Sequence, residues 1–521
     1  MKQILLFFTL LTTAVTYGQD KKFSFKLGDE YELPKDTRDL AYFGNEKDGI
    51  VNLSLKKEDL YIVRFDPKNL NKTMEQKVDL AVTGNFVSEM LVDFNNNNYY
   101  WLHSDWDKSA KQEILYSDKI DVTHGSVVQP NTPLFKTTKI AEQYIQKDYE
   151  YVDKYQFNYD AEHKKLMVSY RLIPEFKSDK KNYDRMGFQV FDEHLNKIWG
   201  DEFKMPYTEA IMDNKAFSID SKGNAYMLAK VYDSEIHKEM IDEKPNYHYE
   251  VLKFGKDSRD IVISAIPVGN YFIKQTNLIE NAQHEMIIAC TFSKKARGTA
   301  TDGFFLAIEN SEGKISNYKS GYYEFPKAEL AKFESEKKQE RIQSNQDFEV
   351  QDLFVRDVLA NPDGSVFVSL EKYFIEVGAE NDKKVINHYG DIYACLIGST
   401  GKLEWLRKIH KMQRGSGKRA TLGYKLINDP SGFYFLYMDN RENMNLGEGE
   451  AGKYYVDGKG GQLVVTKIDY QGNISKELLF DTRDEDIMIY PAEFDRINDS
   501  QFIGRAMIKK KLFQPLLIGS K

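Results

Sequence analysis

One local pattern constrains this chain more than any other: a tight turn of Gly, Asn, Asp or Ser character running straight into a half-buried strand, which recurs eight times. The copies are Lys47-Asp48-Gly49-Ile50-Val51, Asn97-Asn98-Tyr99-Tyr100-Trp101, His163-Lys164-Lys165-Leu166-Met167, Lys222-Gly223-Asn224-Ala225-Tyr226, Gln283-His284-Glu285-Met286-Ile287, Asp363-Gly364-Ser365-Val366-Phe367, Ser431-Gly432-Phe433-Tyr434-Phe435 and Asp499-Ser500-Gln501-Phe502-Ile503. Each reads as a hairpin turn feeding a strand, since small polar residues accept the turn backbone and the branched or aromatic residues after them suit a pleated surface. A second strand, turn and strand follow each copy. They are plainest at Leu60–Asp66, Gly187–Asp192, Phe304–Glu309 and Leu463–Asp469. Trp199 lies seven positions after Asp192 and Trp405 seven after Gly398, and each is expected to wedge its strand against the neighbouring sheet.

The chain opens with Met1-Lys2-Gln3, an apolar run from Ile4 to Val15, and small residues at Thr16 and Gly18 around Tyr17. This is the pattern of a secretory signal peptide cut near Gly18, too short for a membrane span of about 20 residues. The expected mature chain, 19–521, is therefore exported, to a periplasm or the cell exterior, with no membrane span. Removing Lys2 takes the net charge from -8 to -9, and no basic stripe is present. Nucleic acid is accordingly not expected as a partner. Cys290 and Cys395 each sit in an apolar strand-like run and read as buried thiols, with a disulfide left open.

The remaining residues number 521 minus 18, or 503, and divide into eight units of about 63. Four period-2 strands per unit specify an all-β protein, a single β-propeller of eight four-stranded blades, with seven as the alternative. The last unit supplies only three strands, and Phe23–Leu27 near the mature N-terminus is expected to close the ring. One helical insertion is expected at about 326–345, opened by Pro326 and docked by Leu330, Phe333 and Ile342.

The C-terminal third contains Gly390-Asp391-Ile392-Tyr393, Gly401-Lys402-Leu403-Glu404-Trp405, the segment Gly472-Asn473-Ile474-Ser475-Lys476-Glu477 continuing to Asp481, and Glu485-Asp486-Ile487. Over residues 350–521 it resembles uncharacterised secreted β-propeller-like proteins of Gram-negative bacteria. The resemblance implies the fold and the export route, and transfers no catalytic residue.

Loop lengths carry the functional argument. Long polar stretches at 104–112, 175–185, 233–248, 293–302, 376–390 and 440–461, with the helical insertion, all belong on one face of the disc. The turns expected on the opposite face are trimmed. Loops on a rigid scaffold are where binding groups are presented, so the elaborated face is the expected site. Trp106, Tyr183, Tyr232, Tyr247, Tyr249, Tyr389, Tyr454 and Tyr455 lie in or beside those loops and are the candidate binding residues.

Catalytic signatures are scarce. The sequence has no Gly-x-Ser-x-Gly elbow, no phosphate-loop motif and no His-Glu-x-x-His. Its nine His are dispersed, Asp93–Asn98 reads as a hairpin turn rather than a calcium loop, and Arg414–Arg419 reads as a basic loop, so neither cofactor nor metal is expected. The leading expectation is a non-enzymatic exported propeller that binds a glycan, a peptide or an envelope protein. Such a face should present one broad aromatic-lined concavity without a tight cluster of titratable groups, and a buried carboxylate pair or a three-His metal site on it would speak against this expectation. The alternatives are a polysaccharide-degrading enzyme using carboxylates near the channel, with Glu175, Asp233, Glu371 and Asp439 as candidates, and a structural component of an envelope assembly.

Overall fold

The computed structural model describes residues 23–520 except 81–85, 96, 142, 146–149, 153, 236, 297, 346–347, 378–384, 417–421, 457–459 and 499. The expected leader at 1–18 lies outside the described residues, as do parts of the stretches 93–98 and 414–419.

Eight sheets follow one another around a ring, and each is a blade. In chain order they span 38–79, 87–137, 156–208, 212–266, 272–324, 353–409, 425–481 and 495–520, each running antiparallel from its inner first strand outward. Blade eight has Asp495–Asn498, Gln501–Lys509 and Leu512–Ser520, and its outermost strand is Phe23–Leu27, in register from Phe23 opposite Ser520 to Leu27 opposite Leu516. The count is eight, not seven.

The core is divided in the same way. Eight buried apolar clusters fill the eight gaps between neighbouring blades, from Phe43, Val51 and Trp101 between blades one and two to Tyr31, Tyr42 and Phe513 between eight and one. Alternating strands bury both faces in this way, and a fully buried large side chain contributes about 1.5–3 kcal/mol. The two Trp stitch blades together as well as filling space. Trp199 donates its indole N–H to the Gly223 carbonyl at 2.6 Å, and Trp405 donates to Tyr470 at 3.1 Å, each reaching a turn of the next blade. Cys290 and Cys395 lie in different inter-blade cores and are both free, and burial pushes their thiols well up.

The trimmed face is built from one repeated turn. Asp192, Asp220, Asn281, Asn310 and Asp469 each accept, through the side chain, the amides two and four residues on. The residue three on adopts positive φ, 81° at Gly472 and 57° at Leu195, which lets the strand return in register.

The insertion between blades five and six is two short helices, α1 (Lys327–Ala331) and α2 (Glu336–Ser344), rather than one. Phe333 breaks them at φ 59°, and its amide donates to the Glu448 carbonyl instead of continuing a helix. Leu330 and Ile342 dock the pair into the core between blades five and six. Among the described residues no helix is long and apolar enough to cross a membrane.

Candidate functional site

The connections from second to third strand, and the crossings between blades, open on one face, and the insertion rises from that face. Blade six is extended there. Its strands Val366–Val377 and Val385–Ile397 overrun the blade, pairing Tyr373 with Tyr389 and Phe374 with His388. Gln413–Ser416 pairs with that overhang, and Tyr455–Val456 from blade seven's long loop adds to Gln413–Arg414 in parallel. The loop of blade seven is thus sewn into the sheet of blade six.

Between this wall and the helices lies a cavity of about 640 Å³. Phe333, Phe348, Phe374, His388, Tyr389, Tyr393 and Tyr454 supply its rings. His388 stacks on Phe374 at 4.4 Å, Tyr454 meets its edge at 5.9 Å, and Glu376 bonds its Nε2 at 3.0 Å. The helical wall is clasped from the other side: Lys332 pairs with Glu448 at 2.9 Å, and Gln339 donates to the Gly449 carbonyl.

The cavity floor carries a titratable cluster, contrary to the expectation of a concavity without one. The Lys408 ammonium, with a fully buried side chain, bonds Glu334 Oε1 at 2.8 Å, Asp391 Oδ2 at 3.2 Å and the Leu330 carbonyl at 3.2 Å. His410 Nδ1 meets Asp391 Oδ1 at 2.9 Å. Burial alone would raise the Asp391 carboxyl, but Lys408 and His410 hold it well below the usual carboxylate range. Burial likewise opposes the charge on Lys408, and Tyr393, Asp391 and Glu334 outweigh it and push its pKa up. The cluster exists because α1 and α2 must be fastened to blade six through polar strand ends, and buried charges survive there only when paired.

The candidate carboxylates are occupied or remote. Glu371 is 2 % exposed and held by Lys411 at 2.7 Å and Arg356 at 2.8 Å. Asp439 is fully buried, with Lys476 at 2.6 Å and the Asn443 amide at 2.7 Å. Glu175 and Asp233 stand exposed on blades three and four, against Arg185 and His248. Asp184 and Glu209 form a further carboxylate pair on the face, bridged by Arg171. Burial, then Glu209, pushes Asp184 up to about 6, while Asp184 and Arg171 together hold Glu209 low against its burial. Asp184 is only 5 % exposed and Asn182 beside it 1 %, so the pair is shut in.

Of the candidate aromatic residues, Tyr389 and Tyr454 are brought together in the cavity. Tyr455 is buried behind it, in the core between blades seven and eight. Tyr232, Tyr247 and Tyr249 are buried in the core between blades four and five, with the Lys230 ammonium 3.9 Å from the Tyr247 ring centre. Tyr183 is exposed under Lys204 on blade three, and Trp106 stands half-buried on blade two, opposite Glu113. Sequence reading did not single out Phe374, His388, Asp391, Lys408 or His410. Their one signal, polar residues interrupting strand alternation at 388–391 and 408–411, is shared with ordinary strand ends. Among the described residues no group of three His, Cys, Asp or Glu is placed to hold a metal ion.

No protein-family model matches the chain, and no curated protein matches it. Solved structures similar to it include the Dos1 propeller, at 9% identity and a TM-score of 0.40, covering 94% of this chain and 94% of that one. The WD40 domain of SCAP from fission yeast is 8% identical with a TM-score of 0.39, covering 96% of this chain and 95% of that chain. The β-propeller domain of the Trilobed protease from Pyrococcus furiosus is 9% identical with a TM-score of 0.35, covering 87% and 98%.

Proposed function

We propose that this chain is an exported propeller that binds rather than transforms its partner, a glycan, a peptide or an envelope protein, in the cavity between the helical insertion and blade six. The observation that carries the reading is a contrast within one face. The aromatic cavity of about 640 Å³ is of a size that buries a small ligand, while Glu371 and Asp439 are each locked against a lysine and the Asp184–Glu209 pair is held by Arg171 outside the cavity lining. A general acid or base must reach substrate and exchange its proton, and a carboxylate saturated by buried cations does neither well. Aromatic faces beside amides and carboxylates match the apolar faces and hydroxyl edges of sugars, and the side chains of a peptide. Export is part of the same proposal and is supported by the leader-like sequence at 1–18.

Calorimetric titration of the mature chain with panels of oligosaccharides and peptides tests it. A ligand that binds without turnover, weakened about tenfold or more by Tyr454→Ala and unaffected by Trp106→Ala, is the expected result. Product formation from any panel member, or a ligand indifferent to Tyr454→Ala, contradicts it.

A further inference from the structure

The charges around the cavity narrow the class of ligand. Its lining holds Lys295, Lys338, Arg341 and Lys372 together with Glu334, Glu349 and Asp391. Glu334 is neutralised by Lys338 at 2.8 Å and shares Lys408 with Asp391, which also has His410. Among the described residues, Arg341 and Lys372 have no acid partner. The Arg341 side chain is exposed on the last turn of α2, and the Lys372 ammonium lies 5.8 Å from the Phe374 ring centre, at the start of the blade six overhang. Among the described residues Glu349 makes no ion pair; it accepts from the Ser293 hydroxyl at 2.8 Å and feels the Lys274 ammonium at longer range.

Two cations without acid partners, one on each wall, against the single carboxylate of Glu349, leave an excess of positive charge in a space that is also lined by rings. A guanidinium takes a carboxylate through two parallel N–H bonds, and an ammonium takes it as a point charge. Glu349 discriminates further. It repels a second acid placed beside it but accepts hydroxyl donors, which a sugar offers in number and an acidic peptide does not. Gln413 is not available for this, since its amide is spent on the Gly423 N–H and the Met438 carbonyl.

We infer that the cavity takes an acidic oligosaccharide, its uronate carboxylate between Arg341 and Lys372, its hydroxyls toward Glu349 and its ring faces against the aromatic lining. This rests on the proposed binding role and adds the ligand class to it.

The test uses the whole mature chain and four probes: a short oligogalacturonate, its methyl ester, a neutral hexose oligomer of equal length, and a glutamate-rich peptide. The expected result is binding of the oligogalacturonate that weakens with added salt. It should fall about tenfold in Arg341→Gln and in Lys372→Gln, and should not change in Lys180→Gln on blade three. The ester should bind about tenfold more weakly than the acid. Arg341 is exposed and Lys372 half-buried, and neither makes an ion pair among the described residues, so the variants should fold, and an unchanged melting temperature verifies that. Equal binding of acid, ester and neutral oligomer, all sensitive to Tyr454→Ala, overturns the acidic-ligand inference while leaving the binding cavity standing. Preference for the peptide overturns the sugar assignment. Oligogalacturonate binding indifferent to Arg341→Gln, Lys372→Gln and Tyr454→Ala alike overturns both, and failure of the oligogalacturonate to bind overturns the inference.

Discussion

Lys408 shows how a single side chain decides whether the site exists. Its ammonium serves Glu334 from the insertion, Asp391 from blade six and the Leu330 carbonyl at once, with no exposed surface of its own. Replacing it with Met removes the ammonium that the two carboxylates share, leaving Glu334 to the half-exposed Lys338 and Asp391 to His410. Removing one member of a buried ion cluster costs about 3–5 kcal/mol. Lys408→Met should therefore lower the urea midpoint strongly, whereas Lys180→Gln, whose partner Glu235 is as exposed as itself, should shift stability by less than about 1 kcal/mol. Equal effects would show that the cluster is not a fastening. A second residue sets pH behaviour. Burial, only partly opposed by Lys425 and the Tyr42 amide, pushes Asp495 up to about 7, and burial pushes Glu309 to about 7 as well. An acid whose folded pKa lies above its unfolded value binds its proton more tightly when folded. The stabilisation is complete below about pH 4 and is lost as the pH rises through about 7. Melting temperature should fall between about pH 4 and pH 7, and Asp495→Asn, which keeps an oxygen for the Tyr42 N–H, should flatten part of that fall. A pH profile unchanged by the substitution would contradict the assignment.

At the scale of elements, the turns of the trimmed face hold register. The Asp469 carboxylate accepts from the Gln471 and Asn473 amides and the Asn473 side chain, all within 3.0 Å. Asp469→Ala frees these donors to water and should cost about 1–2 kcal/mol in urea unfolding while leaving ligand binding unchanged. No change in midpoint would mean that the strands set the turn, and not the reverse. These turns were readable from sequence because Asp-x-x-Gly-Asn carries its own geometry within five residues: the side chain that closes the turn and the glycine with positive φ are local. The break in the insertion was not readable. Leu330, Phe333 and Ile342 suit one continuous helix, and the competing partner of the Phe333 amide is Glu448, in another blade.

At the scale of the whole molecule, the ring explains the chain's aromatic surplus and its want of linkers: each blade is stable only because its two faces are covered by neighbours, and eight separate cores complete the circle. Period-2 alternation made the blades legible, since each blade repeats it in sequence. The site was legible only as a face. Tyr389 and Tyr454 could be flagged because they sit in long loops, but the cavity joins residues from Lys295 to Tyr454, drawn from three blades and an insertion, and only the closed ring brings them together. Tyr232, Tyr247 and Tyr249 show the limit of composition as a guide: they too flank a long loop, yet that loop folds back as a small hairpin at Met240–Ile241 and Lys244–Pro245, and their rings are buried in the blade core. The most direct measurement of the central claim is amide hydrogen exchange of the mature chain with and without a saturating ligand from the oligosaccharide or peptide panels. Protection confined to α1 and α2, the blade six overhang at 373–377 and 385–389, and Tyr455–Val456 is the predicted result; protection centred on blades two to four or on the trimmed face, with these segments unchanged, would contradict it.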